Sequence, residues 1–174
     1  MAATAIIALL RADKRRVETV SDALPVYKAG KYLTFRVARQ DFAMCADCVR
    51  GILPVHELVA LETPDHWICG FAAVGGRDFP VLDLRAKLGI PHGSHGREPF
   101  IIAVEAGGRL AGFIADRISE LLELRPRDFR NGAVRGHGRP RRVLDPNQIM
   151  TVEEWEVARA SACSIGFSRC PDAG

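Results

Sequence analysis

Cys45-Ala-Asp-Cys48 is the first place where residue type and spacing could do chemistry, because two cysteines three apart suit a redox pair or half a zinc site. A structural zinc site needs four ligands, usually including a second closely spaced pair. The other cysteines, Cys69, Cys163 and Cys170, are scattered, and His56 and His66 do not stand at ligand spacing. A thioredoxin-like pair would open a helix in a β-α-β context, which the pattern lacks. Five cysteines also do not suit a complete intramolecular disulfide framework. Cys45 and Cys48 therefore read as small residues in or beside a strand. A nominal catalytic set of His56 with Glu57, the two cysteines, and Ser94 with His95 fails on spacing. Nothing brings nucleophile, base and orienting group together. His92 and His95 lie in a polar, glycine-rich connection with no thiol or carboxylate beside them, which reads as a solvated loop. The sequence thus offers no catalytic, metal or cofactor residue, and the expectation is a protein that is not an enzyme.

Binding chemistry is better represented. Val49, Ile52 and Leu53 beside Arg50 form a candidate contact surface, apolar with a charge at its rim, and read equally as core residues. Between Leu124 and Arg142, seven arginines (125, 127, 130, 135, 139, 141 and 142) accompany one acid, Asp128. Such a run can neutralise phosphates. Its glycines at 132, 136 and 138 and its single aromatic, Phe129, point more to a solvated rim that meets acidic protein surface, with no nucleic acid as partner; a basic nucleic-acid-binding β-barrel is the lesser alternative.

The 174 residues allow one domain with a real core, and the composition is that of an ordinary globular protein, 48% hydrophobic and 26% charged. The net charge of +3 is too small to argue for nucleic acid or membrane. The apolar run of residues 1–10 is too short to cross a membrane and precedes its positive charges, the wrong order for a secretory signal. Ile6, Leu10, Val17, Val20 and Leu24 suit one face of an amphipathic helix instead. No transmembrane segment is predicted, and a cytoplasmic address is expected.

The elements that must position these residues are mostly strands. Residues 68–74 and 79–84 are apolar runs separated by Gly75-Gly76, whose freedom at positive φ suits a tight antiparallel turn. Residues 100–105 and 109–115 repeat the arrangement around Gly107-Gly108. Residues 31–38 alternate as a half-buried strand, and 42–45 return beside it. Residues 47–53 are ambiguous, 55–62 resume strand character, and Thr63-Pro64-Asp65-His66 offers a helical turn. Leu84 to Leu88 is a brief helix stopped by Gly89 and Pro91. Ile118 to Leu124 is a bent strand, Arg142 to Asp145 a last short one, and a terminal helix begins at Asp145 or Pro146. Eight to ten short strands with frequent turns imply barrels or sandwiches. The expected division is a helical extension and linker over 1–30, a domain over 31–157 whose two halves meet near 91–99, and a flexible tail over 158–174.

The order of elements resembles the CheW family of chemotaxis coupling proteins. Trp67-Ile-Cys-Gly-Phe71 followed by Gly76-Arg-Asp-Phe-Pro-Val-Leu-Asp-Leu-Arg85 carries most of the resemblance. Tyr32 to Val37, Thr63-Pro64, Phe100 to Val104 with Leu110 to Asp116, and Val143-Leu-Asp145 support it. The resemblance implies a mainly β fold of two packed, small, five-stranded antiparallel barrels, SH3-like, with an N-terminal and a short C-terminal helix. It implies a non-enzymatic adaptor, without cofactor, that binds the regulatory domain of a CheA-type histidine kinase and chemoreceptor cytoplasmic tips in membrane-associated arrays. Gly70, Pro80, Asp83, Arg85 and Asp116 then have structural roles around the hairpin, and Val49 to Leu53 with Gly75, Gly76 and Arg77 are the contact residues. The family's hairpin tip reads Asn-Leu-Arg-Gly, its arginine tied to receptor binding, whereas this chain has Ala73-Val74-Gly75-Gly76. A family glutamate implicated in the same contact falls at Gly51. Both departures fall on the receptor contact, which leaves room for an adaptor serving a different signalling partner.

Overall fold

Both Gly-Gly pairs turn the chain as their conformational freedom allows. Gly75 and Gly76 have φ of 59° and 78°, and Gly107 and Gly108 have 56° and 76°. Positive φ at both central positions is the geometry of the two-residue hairpin turn whose twist matches its strands. In the computed structural model, which describes residues 27–61, 67–91, 98–134 and 139–164, the first turn joins β5 (Ile68–Val74) to β6 (Arg77–Leu82). The second joins β7 (Phe100–Ala106) to β8 (Arg109–Ala115).

The remaining strands are β1 (Gly30–Val37), β2 (Gln40–Cys45), β3 (Val49–Pro54), β4 (Val59–Ala60) and β9 (Arg117–Leu124), then β10 (Phe129–Arg130), β11 (Ala133–Val134) and β12 (Arg141–Val143). They form two six-stranded sheets, in the orders β10-β11-β12-β2-β1-β9 and β3-β7-β8-β6-β5-β4. The fold is mainly β, as expected, and matches two small SH3-like barrels packed together. Each sheet has six strands where five were expected; the two-residue strand β4 lies in the second, and the two-residue strands β10 and β11 lie in the first. Each also contains one parallel pairing, β12 on β2 and β6 on β8, where all-antiparallel sheets were expected.

The division of the chain differs from the expectation of two halves meeting near 91–99. The first sheet takes both ends of the described domain, and the second takes everything between Val49 and Ala115. The reason is long-range pairing: β1 lies beside β9, and β3 beside β7. Both glycine hairpins therefore belong to one sheet, joined through the parallel β6–β8 contact.

The core follows this layout. Leu33, Phe35, Phe42 and Met44 of the first sheet pack with Ile68, Leu82, Ile102 and Phe113 of the second in one cluster. Phe35 lies between Phe42 and Phe113, with ring centroids 5.8 and 5.1 Å away. Smaller clusters serve each sheet alone, around Phe79 and Ile101 in one and Tyr32 and Phe129 in the other.

Helix α1 (Leu84–Leu88) is capped by Asp83, whose carboxylate accepts from the Arg85 backbone N–H at 2.9 Å, and ends at Gly89 in the left-handed conformation. Asp145 caps a single 3-10 turn, Pro146–Gln148, and the terminal helix α2 (Val152–Ser164) starts afterwards, later than expected. This helix also corrects the expected tail. It runs to Ser164 because Ala158 and Ala162 are fully buried and Trp155 nearly so. The expected 1–30 extension up to residue 26, the turn at 63–66, and the two histidines of 91–99 lie outside the described residues.

Candidate functional site

Gly51 explains why the β5–β6 hairpin leans on β3. A Cβ there would meet the Val74 side chain at 2.9 Å, so any larger residue would push the hairpin arm or the Val74 side chain away. The approach brings Arg50 and Arg77 to one carboxylate. Glu105, at the end of β7, accepts from Arg50 Nε at 2.6 Å and from Arg77 Nη1 at 3.1 Å. Burial works against the charged form of Glu105, but hydrogen bonds from Arg50 and Arg77 outweigh it and hold its pKa below the usual carboxylate value. Arg50 also donates to the Asp47 carbonyl at 2.6 Å. The result is an ordered charged rim beside the exposed Gly75-Gly76 tip.

Of the residues expected to make contacts, the structure brings Arg50, Gly51, Gly75, Gly76 and Arg77 together. It turns Val49 and Ile52 inward. They are 8% and 7% exposed and belong to the cluster between the sheets, which corrects their expected place on a binding surface. Leu53 is half-buried against the second sheet's own core. Alternation decides the matter: Val49 and Ile52 flank a register shift in β3 between Val49 and Gly51, so both can face the core while Arg50 faces solvent. Glu105 escaped the sequence reading. Its only signal was a carboxylate at the mouth of a hairpin, 28 residues beyond one arginine and 55 beyond the other.

The residues read as structural form a brace at the other end of the hairpin. Arg85 is 2% exposed and donates to both oxygens of Asp116 at 2.6 and 2.8 Å. Asp116 also accepts from the Ala38 N–H in the β1–β2 turn, and its own N–H donates to the Arg36 carbonyl at 2.8 Å. This single carboxylate thus ties the end of β6, the β8–β9 link and the β1–β2 turn together, across both sheets. Asp83 N–H donates to the Trp67 carbonyl at 2.9 Å and closes the hairpin's base. Gly70 is required by contact: a Cβ there would lie 2.2 Å from the Val59 carbonyl oxygen. Pro80, which has no N–H to give a ladder, sits one residue before the β6–β8 pairing begins at Val81.

The other chemistry-bearing residues are apart from this site. His56 and Glu57 are exposed in a 3-10 turn, Val55–Glu57, where a strand was expected. Of the arginine run, 125, 127, 130, 139 and 142 are exposed and Arg141 pairs with Glu120 at 2.6 Å. Among the described residues no three histidine, cysteine or acidic side chains could share a metal ion, and no helix is long and apolar enough to cross a membrane.

The model of the CheW-like domain family matches residues 31–154, which takes in both sheets and the start of α2. The chain belongs to the CheW-like domain family. Curated relatives are distant. A chemotaxis protein CheW from Rhizobium meliloti is 23% identical over 140 residues, covering 72% of this chain and 90% of that one. Another from Helicobacter pylori is 22% identical over 100 residues, covering 57% of this chain and 60% of the relative's length. The solved structure of the scaffolding protein TtCheW from Thermoanaerobacter tengcongensis superimposes with a TM-score of 0.63 at 18% identity, over 79% of this chain and 96% of that one. At such identity the likeness speaks for the fold. Within this domain the brace at the base of the β5–β6 hairpin is complete, and the Gly75-Gly76 tip carries no side chain.

Proposed function

We propose that this chain is a non-enzymatic adaptor in chemotaxis-type signalling, which binds the regulatory domain of a CheA-type histidine kinase through the second sheet. The family membership supports the adaptor class. The observation that carries the choice of surface is the Arg50–Glu105–Arg77 rim, held ordered beside an exposed hairpin tip. Pre-ordered charges at the edge of a patch set register and suppress wrong partners at little entropic cost. The working location is the cytoplasm, at a receptor array.

The receptor contact is the weaker half of this function. Gly75 replaces the arginine that the family resemblance places at the tip, and Arg77 is engaged by Glu105 and so is not free to stand in for it. An adaptor that reaches a different signalling partner with the same sheet follows from that observation.

Calorimetry of the purified chain with the regulatory domain of its cognate kinase is expected to give a complex of micromolar affinity or tighter. Reversing a charge of the rim, Arg50→Glu, is expected to weaken that complex by about tenfold, as loss of one ordered charge pair does. No complex with any cognate kinase would overturn the adaptor reading. A parallel titration with receptor cytoplasmic tips separates the two contacts.

A further inference from the structure

Cys45 is the last residue of β2, and Cys48 is the last residue of the 3-10 turn Ala46–Cys48 that leads into β3. Cys45 caps that turn in a non-helical conformation, so the two cysteines are the ends of a four-residue turn, whose Cα atoms lie within about 7 Å, near the separation a disulfide spans. Both thiols are free, half-buried and open to solvent on one side. Among the described residues no group of three histidine, cysteine or acidic side chains is placed to hold a metal ion here. Their neighbours are Tyr32, Asp47 and Arg50, and the Arg50 charge bears on Cys48. Tyr32 donates to the Lys28 carbonyl at 3.1 Å, and burial pushes its hydroxyl up to about 12.

Hydrogen bonding from the Cys48 thiol brings Cys45 down to about 7, against burial, with the Asp47 backbone N–H adding to the effect. The same contact pushes Cys48 up. Cys69, alone on β5, is pushed up to about 11 by burial. One thiol of the pair is thus poised to attack and the other to resolve, while Cys69 is inert.

We propose that Cys45 and Cys48 form a peroxide-reactive dithiol, which closes to an intramolecular disulfide across the turn at the root of β3. The Cys45 thiolate attacks one peroxide oxygen. The S–O bond forms, the O–O bond breaks, and hydroxide leaves and takes up a proton as water. The Cys48 sulfur, losing its proton, then attacks the sulfenic acid. The S–S bond forms, the S–O bond breaks, and a second water leaves. Two thiols are oxidised and one hydroperoxide is reduced. The Asp47 carbonyl that holds Arg50 lies inside the closed loop, so oxidation fixes the peptide on which the charged rim rests.

The full chain tests this directly, because trypsin releases residues 40–50 as one peptide holding both cysteines and neither of the other three. After hydrogen peroxide and alkylation, that peptide is expected to be lighter by two hydrogens and unalkylated, and dithiothreitol is expected to restore two alkylation sites. In Cys48→Ser the resolving thiol is gone, and Cys45 is expected to give a dimedone adduct. Cys45 is expected to react at neutral pH on the order of a hundredfold faster than Cys69, from its larger thiolate fraction less its lower intrinsic nucleophilicity. The proposal is overturned if residues 40–50 keep two alkylatable thiols while Cys69 is oxidised. A disulfide to another peptide, or no adduct in Cys48→Ser, overturns it equally. These readouts involve no partner, so they stand apart from the kinase-binding result.

Discussion

Asp116 ties the two sheets together through one side chain. Its carboxylate answers a buried guanidinium from α1, just after the second sheet's β6, and a backbone N–H from the β1–β2 turn of the first sheet. Removing one member of a buried ion pair leaves the other charged and unsolvated, at a cost of about 3–5 kcal/mol. Asp116→Ala and Arg85→Ala are each expected to lower the unfolding free energy from denaturant titration by that much, and the double variant by less than their sum. Glu105 makes a different kind of pair, between side chains partly in water, worth about 1 kcal/mol or less. Its pKa is held below the unfolded value, so its contribution is fully present above that value and fades as pH falls through the lower, folded one. Thermal melts from pH 7 to pH 3 are expected to show Glu105→Gln slightly less stable at neutral pH and indistinguishable from the parent in acid. A gap that persists at low pH would sink the electrostatic explanation.

At the scale of elements, the β5–β6 tip sets a conflict between shape and contact. Nothing crowds Gly75, so an added side chain has room, but its φ of 59° is unfavourable for any residue with a Cβ. Gly75→Arg is expected to cost roughly 1–2 kcal/mol in stability while strengthening binding to receptor tips; Gly75→Asn should recover the stability without the binding. Unchanged receptor binding in a folded Gly75→Arg chain would mean that the family's tip geometry does not carry over. The hairpins were legible in the sequence because each is a local event, two apolar runs around a pair of glycines. The brace was legible as residues, since Asp83, Arg85 and Asp116 stood out, but not as a contact with Ala38, which only tertiary packing creates. Val49 and Ile52 were misplaced because an apolar residue beside an arginine reads the same in a groove as in a core. α2 was cut short at 157 because its buried positions, Ala158 and Ala162, are small and leave little apolar signal beside the charges around them.

Across the whole molecule, α2 closes the domain by reaching back to the second sheet. Trp155 Nε1 donates to the Leu110 carbonyl at 3.5 Å, and Glu154 pairs with Lys87 of α1. A chain ended after Val157 loses two fully buried methyl groups and is expected to be less stable by about 2 kcal/mol, read as a lowered melting temperature. An unchanged melting temperature would restore the picture of a tail. The interleaving of the sheets, with β1 at residues 30–37 waiting for β9 at residues 117–124, has a consequence for how the chain is made. On the ribosome β1 and β2 precede their other partners, β9 and β12, and so have only each other to pair with, a hairpin that is marginal in water. The segment 49–115 then completes a sheet of its own as it appears, and it does so while Leu33, Phe35 and Phe42 still lack their other neighbours. Synthesis order and assembly order are thus reversed: the last sheet to close is the one whose first strand was born earliest, and its nascent edge is the stretch a chaperone would meet.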